Sequence, residues 1–290
     1  MSTVLETSAP SSVVTLTRWE LRPRSGEPPI RGESRVLAGT TPTSAVVICH
    51  GFKGFKDWGF FPPLARAIAQ QGHAAVSFDF SHNGVGADGV DFSDLDLFAR
   101  QTHTRNVDEI ELVIDALIGC KLVARCPRSI GLFGHSRGGG EAILEASEDP
   151  RVDALVTWAA IAAVERWTDE QVDAWQRGET VFVPNARTGQ QMPVSPEVWQ
   201  DVQANQDRLD IVRAAEMLRV PWLIVHGEQD ESVSPTCARV LFDAARETTD
   251  LLLIEDADHT FGARHPFTDS TPELQAATEA TLEWYDEHLR

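Results

Sequence analysis

Cations are scarce in this chain: 25 Lys and Arg stand against 44 Asp and Glu, a formal net charge of −19. That imbalance argues against nucleic acid and anionic membranes as partners, since both are gripped by basic surfaces. No run approaches the roughly 18 apolar residues that a membrane span requires. The opening residues, MSTVLETSAPSSVV, hold neither a basic segment nor an apolar one. No signal peptide is expected, and the cytoplasm is the default compartment. Cysteine is also scarce. Cys49, Cys120, Cys126 and Cys237 form no CxxC pair and no zinc spacing with histidine, so four free, mostly buried thiols are expected. His50, His82, His103 and His135 do not fall at ligand spacing, which argues against a metal centre. No strand–GxGxxG–helix is present, so the glycines of NGVGADG read as turn residues rather than a dinucleotide fingerprint. Internal repeats are absent. No cofactor is expected.

What the chain does have is alternation. Its 290 residues can bury a large core. VVTLTRWELR reads as an edge strand with one wet face, and ESRVLAGT as its hairpin partner. SAVVICHGF, HAAVSFDF, the run up to Gly134, DALVTWAA, PWLIVHGEQD and LLLIEDADH read as buried strands. Helical patterns lie between them: PPLARAIAQQG, a long stretch from Leu95 to Ile118, the run after Ser136, Pro235 to Arg246, and Pro272 to Leu289. Strands alternating with helices predict a mostly parallel sheet with helices on both faces. Ligands then bind at the carboxyl ends of the strands. The stretch from Ala162 to Leu218 breaks the alternation, with a helix-like TDEQVDAWQR, a hairpin-like ETVFVPNARTGQQMPV and a further helical run from Pro196. It reads as a cap, 162–218, inserted into a core made of 1–161 and 219–290.

The motif Gly134-His135-Ser136-Arg137-Gly138 follows one of the buried strands and opens a helix. G-x-S-x-G arises by chance often enough that context must decide. Strand, turn and helix here match a nucleophile elbow, in which strained backbone holds the Ser hydroxyl out and the glycines allow close approach. A Ser hydroxyl needs a base, and the base needs orienting. In this fold the chain order is Ser, acid, His. His226, His259 and His265 follow Ser136. His226 sits within a strand end and reads as packed. His259 comes directly after the last strand and is the expected base, with His265 the runner-up. Asp230 is the expected acid, ahead of Glu228 and Glu231 in its loop; Asp256 and Asp258 lie too near His259 and read as shaping its loop. An oxyanion hole would use the backbone N–H of Arg137 and that of Phe52, in HGFKG, with the two side chains uninformative. Trp158, Trp167, Trp175 and Trp199 cluster in or beside the cap. Trp167, Trp175, Phe182 and Trp199 are the residues expected to roof a substrate pocket.

HGFKGFKDW, VSFDFSHNGVG, GHSRGGG, VHGEQDESV and DADHTFG occur in the order and rough spacing of the α/β-hydrolase superfamily, so the chain resembles that superfamily from about Ser44 to Leu289. It looks most like bacterial carboxylesterases related to the cinnamoyl (feruloyl) esterase and dienelactone hydrolase groups. The resemblance implies Ser136 as nucleophile, Asp230 as acid, His259 as base and the Phe52 and Arg137 amides as oxyanion donors. Dienelactone hydrolases proper carry Cys where Ser136 stands, which argues against their substrate. The Asp nucleophiles of dehalogenases and epoxide hydrolases are excluded at the same position. The expectation is a serine carboxylesterase for a small-molecule ester, favouring short-chain or aryl groups. Two alternatives stay open: a peptidase or amidase of the prolyl-oligopeptidase type, and a ligand-binding protein on a hydrolase scaffold. The oligomeric state is open, a homo-oligomer included.

Overall fold

Two strands begin the fold: β1 (Val14–Leu21) and β2 (Ile30–Leu37) form an antiparallel hairpin. The strand β3 (Ser44–Cys49) then leads to the helix α1 (Phe61–Gln70), whose prolines fall in its first turn, where their missing N–H is not needed. After β4 (Ala74–Asp79) come α2 (Leu95–Ala99) and α3 (His103–Ile118). Next are β5 (Ser129–His135), α4 (Arg137–Glu148) and β6 (Val152–Trp158). The segment beyond β6 holds α5 (Asp169–Gln176), the antiparallel pair β7 (Val181–Pro184) and β8 (Gln191–Val194), then α6 (Pro196–Ala204) and α7 (Ile211–Met217). Regular alternation returns with β9 (Trp222–Gly227), α8 (Thr236–Ala244), β10 (Thr249–Ile254) and α9 (Pro272–His288). This computed structural model describes residues 13–289 apart from 24, 25, 87, 88 and 90. The leader reading of the first dozen residues and part of the NGVGADG turn lie outside the described residues.

The main sheet runs β1-β2-β4-β3-β5-β6-β9-β10. β2 pairs antiparallel with β1 and β4, and the remaining pairs are parallel. This is the expected mostly parallel sheet with helices on both faces. Side chains alternate across it as the strand period dictates. Ala45, Val47 and Cys49 join a cluster with α3, α4, α7 and α8, while Val46 and Ile48 join one with α1 and α9. Burying each large aliphatic side chain contributes roughly 1.5–3 kcal/mol, so two-sided burial is the main source of stability. Gly131 lets α9 lie close to β5: a Cβ there would fall 2.8 Å from the Tyr285 ring, and the Tyr285 hydroxyl donates to the Leu132 carbonyl at 2.6 Å. Among the described residues no helix is long and apolar enough to cross a membrane.

Three sequence expectations need correction. The stretch from Leu95 to Ile118 is two helices. Asp94 caps the first, accepting the Leu97 N–H, and extended Thr102 caps the second, accepting the Arg105 N–H. Periodicity alone does not register such a restart. Cys120 and Cys126 are not free: the chain reverses after α3 and brings their Cα atoms to 4.6 Å in a disulfide, while Cys49 and Cys237 remain thiols. Finally, the segment 162–218 includes α7, yet α7 packs against α4 and α8 of the core; the excursion from the sheet ends with α6.

Glu145, on the buried side of α4, carries an unfavourable charge. Burial, with Asp149, Glu111 and Glu148 nearby, pushes its carboxyl up to about 9. Its ordinary value is 4.5, so the unfolded chain ionises first and stability is lost as pH rises from about 5 toward 9. Glu145→Gln keeps a donor toward Asp149 and removes the penalty. The expected outcome is a melting temperature raised by roughly 2–4 °C at mildly alkaline pH, with no gain at pH 4 or so, read by thermal denaturation across pH.

Candidate active site

At the carboxyl edge of the sheet, β5 ends in His135 and α4 begins at Arg137. Ser136 lies between them with φ 58° and ψ −121°, a left-handed turn that a serine adopts only when its surroundings hold it there. The glycines make this turn fit. A Cβ on Gly134 would lie 2.7 Å from the Gly139 Cα, and one on Gly138 would lie 2.7 Å from the Cys49 carbonyl oxygen. Backbone bonds hold the turn on both sides: the Ser136 N–H donates to the Trp158 carbonyl at 2.9 Å, and the Ser136 carbonyl accepts from Gly139 and Gly140.

The loops after β9 and β10 bring the other expected groups to this point. His259 Nε2 lies 3.0 Å from Ser136 Oγ, and His259 Nδ1 lies 2.7 Å from Asp230 Oδ2. The carboxylate accepts at Nδ1, so Nδ1 carries the proton and Nε2 is the acceptor for the serine hydroxyl. Asp230 is buried, and its Oδ1 accepts the N–H groups of Ser232 and Val233 at 2.8 and 2.9 Å. Burial opposes its ionisation, but hydrogen bonds from His226 and His259 and from the Val233 amide outweigh burial and hold it well below the usual carboxylate range. Asp230 is therefore an anion that fixes and balances the imidazole. His265 lies elsewhere: its Nδ1 accepts the Gly59 N–H at 3.2 Å and its ring packs on Phe55 and Trp58. Glu228 and Glu231 are exposed on the acid loop, and Asp258 accepts from Thr260 and Gly262 within its own turn.

Several supporting groups escaped the sequence reading. His226, read as packed, is fully buried, donates from Nε2 to the Val233 carbonyl at 2.9 Å and approaches Asp230 Oδ2 at 3.2 Å. His135 donates to the His259 carbonyl at 2.9 Å, with its ring 4.7 Å from that of His259; burial, with His259 adding to it, lowers its value to about 3 and keeps it neutral. His50 donates from Nδ1 to the Gly51 carbonyl at 2.9 Å, and burial lowers it to about 4. Because the peptide is planar and trans, pinning the Gly51 carbonyl aims the Phe52 N–H the opposite way. Gly51 itself lies against the elbow, where a Cβ would be 3.0 Å from Ser136 Cβ and 3.5 Å from the Arg137 nitrogen. Arg137 is the first residue of α4, so its N–H has no acceptor within the helix. Its side chain is not idle. Buried, it donates to Glu141 at 2.8 Å and to the Gln101 carbonyl at 3.1 Å, while Asn106 and His103 also approach Glu141. One signal was available in the sequence: His50, His135 and His226 all fall at the carboxyl ends of parallel strands.

Ser136 and His259 open into a cavity of about 410 Å3. Trp167 and Trp175 line it, their rings edge to face at 4.9 Å, with Phe52, Ile161, Val164, Val183, Val194 and Val198. Trp175 is anchored by its Nε1–H to the Val194 carbonyl at 3.0 Å. Two expected residues are absent from the lining. Phe182 is 58% exposed, because β7 alternates and Val183, not Phe182, faces inward. Trp199 lies in a separate shallow groove with Val172, Gln176 and Gln203.

Residues 40–210, more than half of the chain, match the family described as serine aminopeptidase, S33. An uncharacterised 31.7 kDa protein of the traX-finO intergenic region of Escherichia coli is 24% identical, over 88% of this chain and 94% of its own. The 2,6-dihydropseudooxynicotine hydrolase of Paenarthrobacter nicotinovorans is 23% identical over 78% of this chain, which spans about half (54%) of that protein. Among solved structures, the esterase domain of a Rhodothermus marinus protein superposes with a TM-score of 0.65 at 19% identity, covering 95% of this chain and all of that one.

A fluorophosphonate probe reads the readiness of the serine directly. Labelling is expected at Ser136, lost in Ser136→Ala and His259→Ala, and retained in His265→Ala. His226→Leu removes a hydrogen bond to Asp230 and is expected to slow labelling about tenfold. A label placed by mass spectrometry on another residue, or equal rates in all variants, contradicts this arrangement.

Proposed function

The chain belongs to the serine aminopeptidase S33 family of α/β-hydrolases, and within it we propose a serine carboxylesterase for esters with compact acyl or aryl groups. The observation that carries this reading is the unbroken hydrogen-bond series Asp230–His259–Ser136 opening into a cavity walled by Trp167, Trp175 and valines. His259 Nε2 takes the serine proton as Oγ attacks the ester carbonyl. The Phe52 and Arg137 N–H groups receive the developing oxyanion. His259 then returns the proton to the leaving alcohol, and water, deprotonated by the same imidazole, cleaves the acyl-enzyme. Asp230 remains an anion throughout and stabilises the imidazolium. His50 contributes by fixing the Gly51–Phe52 peptide, and His226 by holding Asp230; both are positioning residues.

The cavity supports esters over peptides. An aminopeptidase must hold a cationic amino terminus, which a carboxylate would recognise. Among the described residues lining the cavity there is no Asp or Glu. Its walls are instead tryptophan and valine, suited to small apolar groups, and the segment 162–204, up to the end of α6, supplies most of them as a cap. A Ser136 that takes no fluorophosphonate label would favour the binding-protein alternative, which needs no activated serine.

On 4-nitrophenyl esters of increasing acyl length, kcat/KM is expected to peak at a short chain and fall beyond it, each fitting methylene being worth roughly 0.8 kcal/mol. Ser136→Ala is expected to reduce kcat by about 10⁴-fold or more. Trp167→Ala opens the wall and is expected to move the peak to longer chains. An unmoved optimum would remove Trp167 from the acyl site.

A further inference from the structure

Charge in this protein is overwhelmingly negative, yet its cavity is lined by Lys53, Arg137 and Arg166 with no carboxylate among the described lining residues. Arg137 is neutralised by buried Glu141. Lys53 and Arg166 are not: among the described residues neither forms an ion pair, and each gives a hydrogen bond only to a backbone carbonyl. Lys53 Nζ donates to the Pro184 carbonyl at 3.1 Å, and Arg166 Nη2 to the Ser232 carbonyl at 2.5 Å. Further N–H groups on both remain to be used. Lys53 is held with φ 59°, in the left-handed region that costs a lysine energy, and its ammonium lies 5.7 Å from the centre of the Phe52 ring. Burial lowers its pKa, as befits an ammonium partly stripped of water without a counter-ion. Among the described residues other cations also lack an ion pair, such as Arg66 and Arg264, but they do not line the cavity into which Ser136 and His259 open. Lys53 and Arg166 share that cavity's wall with Ser136 and His259, where a substrate can bring the missing charge.

We propose that Lys53 and Arg166 form an anion subsite, and that the substrate is an ester bearing a carboxylate on its acyl or alcohol half. This rests on the esterase reading above. Charge-assisted hydrogen bonds to the carboxylate anchor the ester while Trp167 and Trp175 pack its body, which sets the carbonyl against Ser136. A net-negative surface that repels anions in general leaves this local patch as the place they are received.

The test compares matched esters. Mono-4-nitrophenyl glutarate against 4-nitrophenyl pentanoate places the charge on the acyl half, and 4-acetoxybenzoate against phenyl acetate places it on the alcohol half. The wild type is expected to favour the charged ester of at least one pair by about tenfold in kcat/KM, mainly through KM. That ratio should fall toward unity in Lys53→Met, in Arg166→Gln and in the double variant, and should weaken with added NaCl. No preference for either charged ester overturns the proposal. So does an equal loss on charged and neutral esters in the variants, which would make the two cations ties between cap and core. If the wild type hydrolyses no ester, the esterase reading fails by itself, and calorimetric titration of Ser136→Ala decides the subsite separately. Tighter binding of the glutarate monoester than of the pentanoate, lost in Ser136→Ala combined with Lys53→Met, upholds the subsite; equal binding of the two overturns it.

Discussion

Glycine at 134 and 138 allows the first turn of α4 to lie against the ends of β5 and β3, so close that a Cβ at either position would meet backbone atoms. That contact sets the left-handed turn at Ser136, and with it the direction of the hydroxyl. It also sets Gly51 beside the elbow, and brings the Phe52 amide to the same place as the start of α4. Moving the helix outward by the width of one methyl group would separate Ser136 from His259 and from the Gly51–Phe52 peptide together. The site is thus a product of backbone proximity first, and of side-chain chemistry only afterwards.

Around this contact, burial sorts charges. His50 and His135 are kept neutral by being stripped of water, so each can both give and receive hydrogen bonds to hold a loop. Asp230 is equally deprived of water but has enough N–H donors to stay ionised. Arg137, next to Ser136, turns its charge inward to Glu141 and ties α4 to the start of α3 through Gln101. The elbow therefore adds little net charge of its own.

The order of strands and helices was legible because two-sided burial leaves continuous apolar runs, and the spacing of Ser136, Asp230 and His259 was legible because each follows such a run. The breaks were not. Thr102 restarts a helix within a periodic stretch, and the reversal after α3 that joins Cys120 to Cys126 depends on conformation rather than composition. In the cap, single-residue alternation decides which face a side chain takes: Val183 lines the cavity and Phe182 does not. Aromatic content suggested the second, while register, which no short segment reveals, chose the first. The side chains of His226, Arg137 and His50 went unread although their main partners, Asp230, Glu141 and Gly51, lie within four residues, because turn and helix geometry rather than residue type decides which neighbour each one meets.

Cap and core are joined across the cavity by Lys53 with the Pro184 carbonyl and by Arg166 with the Ser232 carbonyl, and again where the Ser195 N–H meets the Ala99 carbonyl. The Ser195–Ala99 joint is main chain on both sides and outlasts exchange of side chains, whereas the other two depend on Lys53 and Arg166. The inward apolar side chains of the cap, which take no part in these joints, can therefore be exchanged over evolutionary time without untying it from the carboxyl edge of the sheet. A descendant lineage could inherit the same docking while trying new pocket walls, so that substrate range drifts quickly on a scaffold whose chemistry does not.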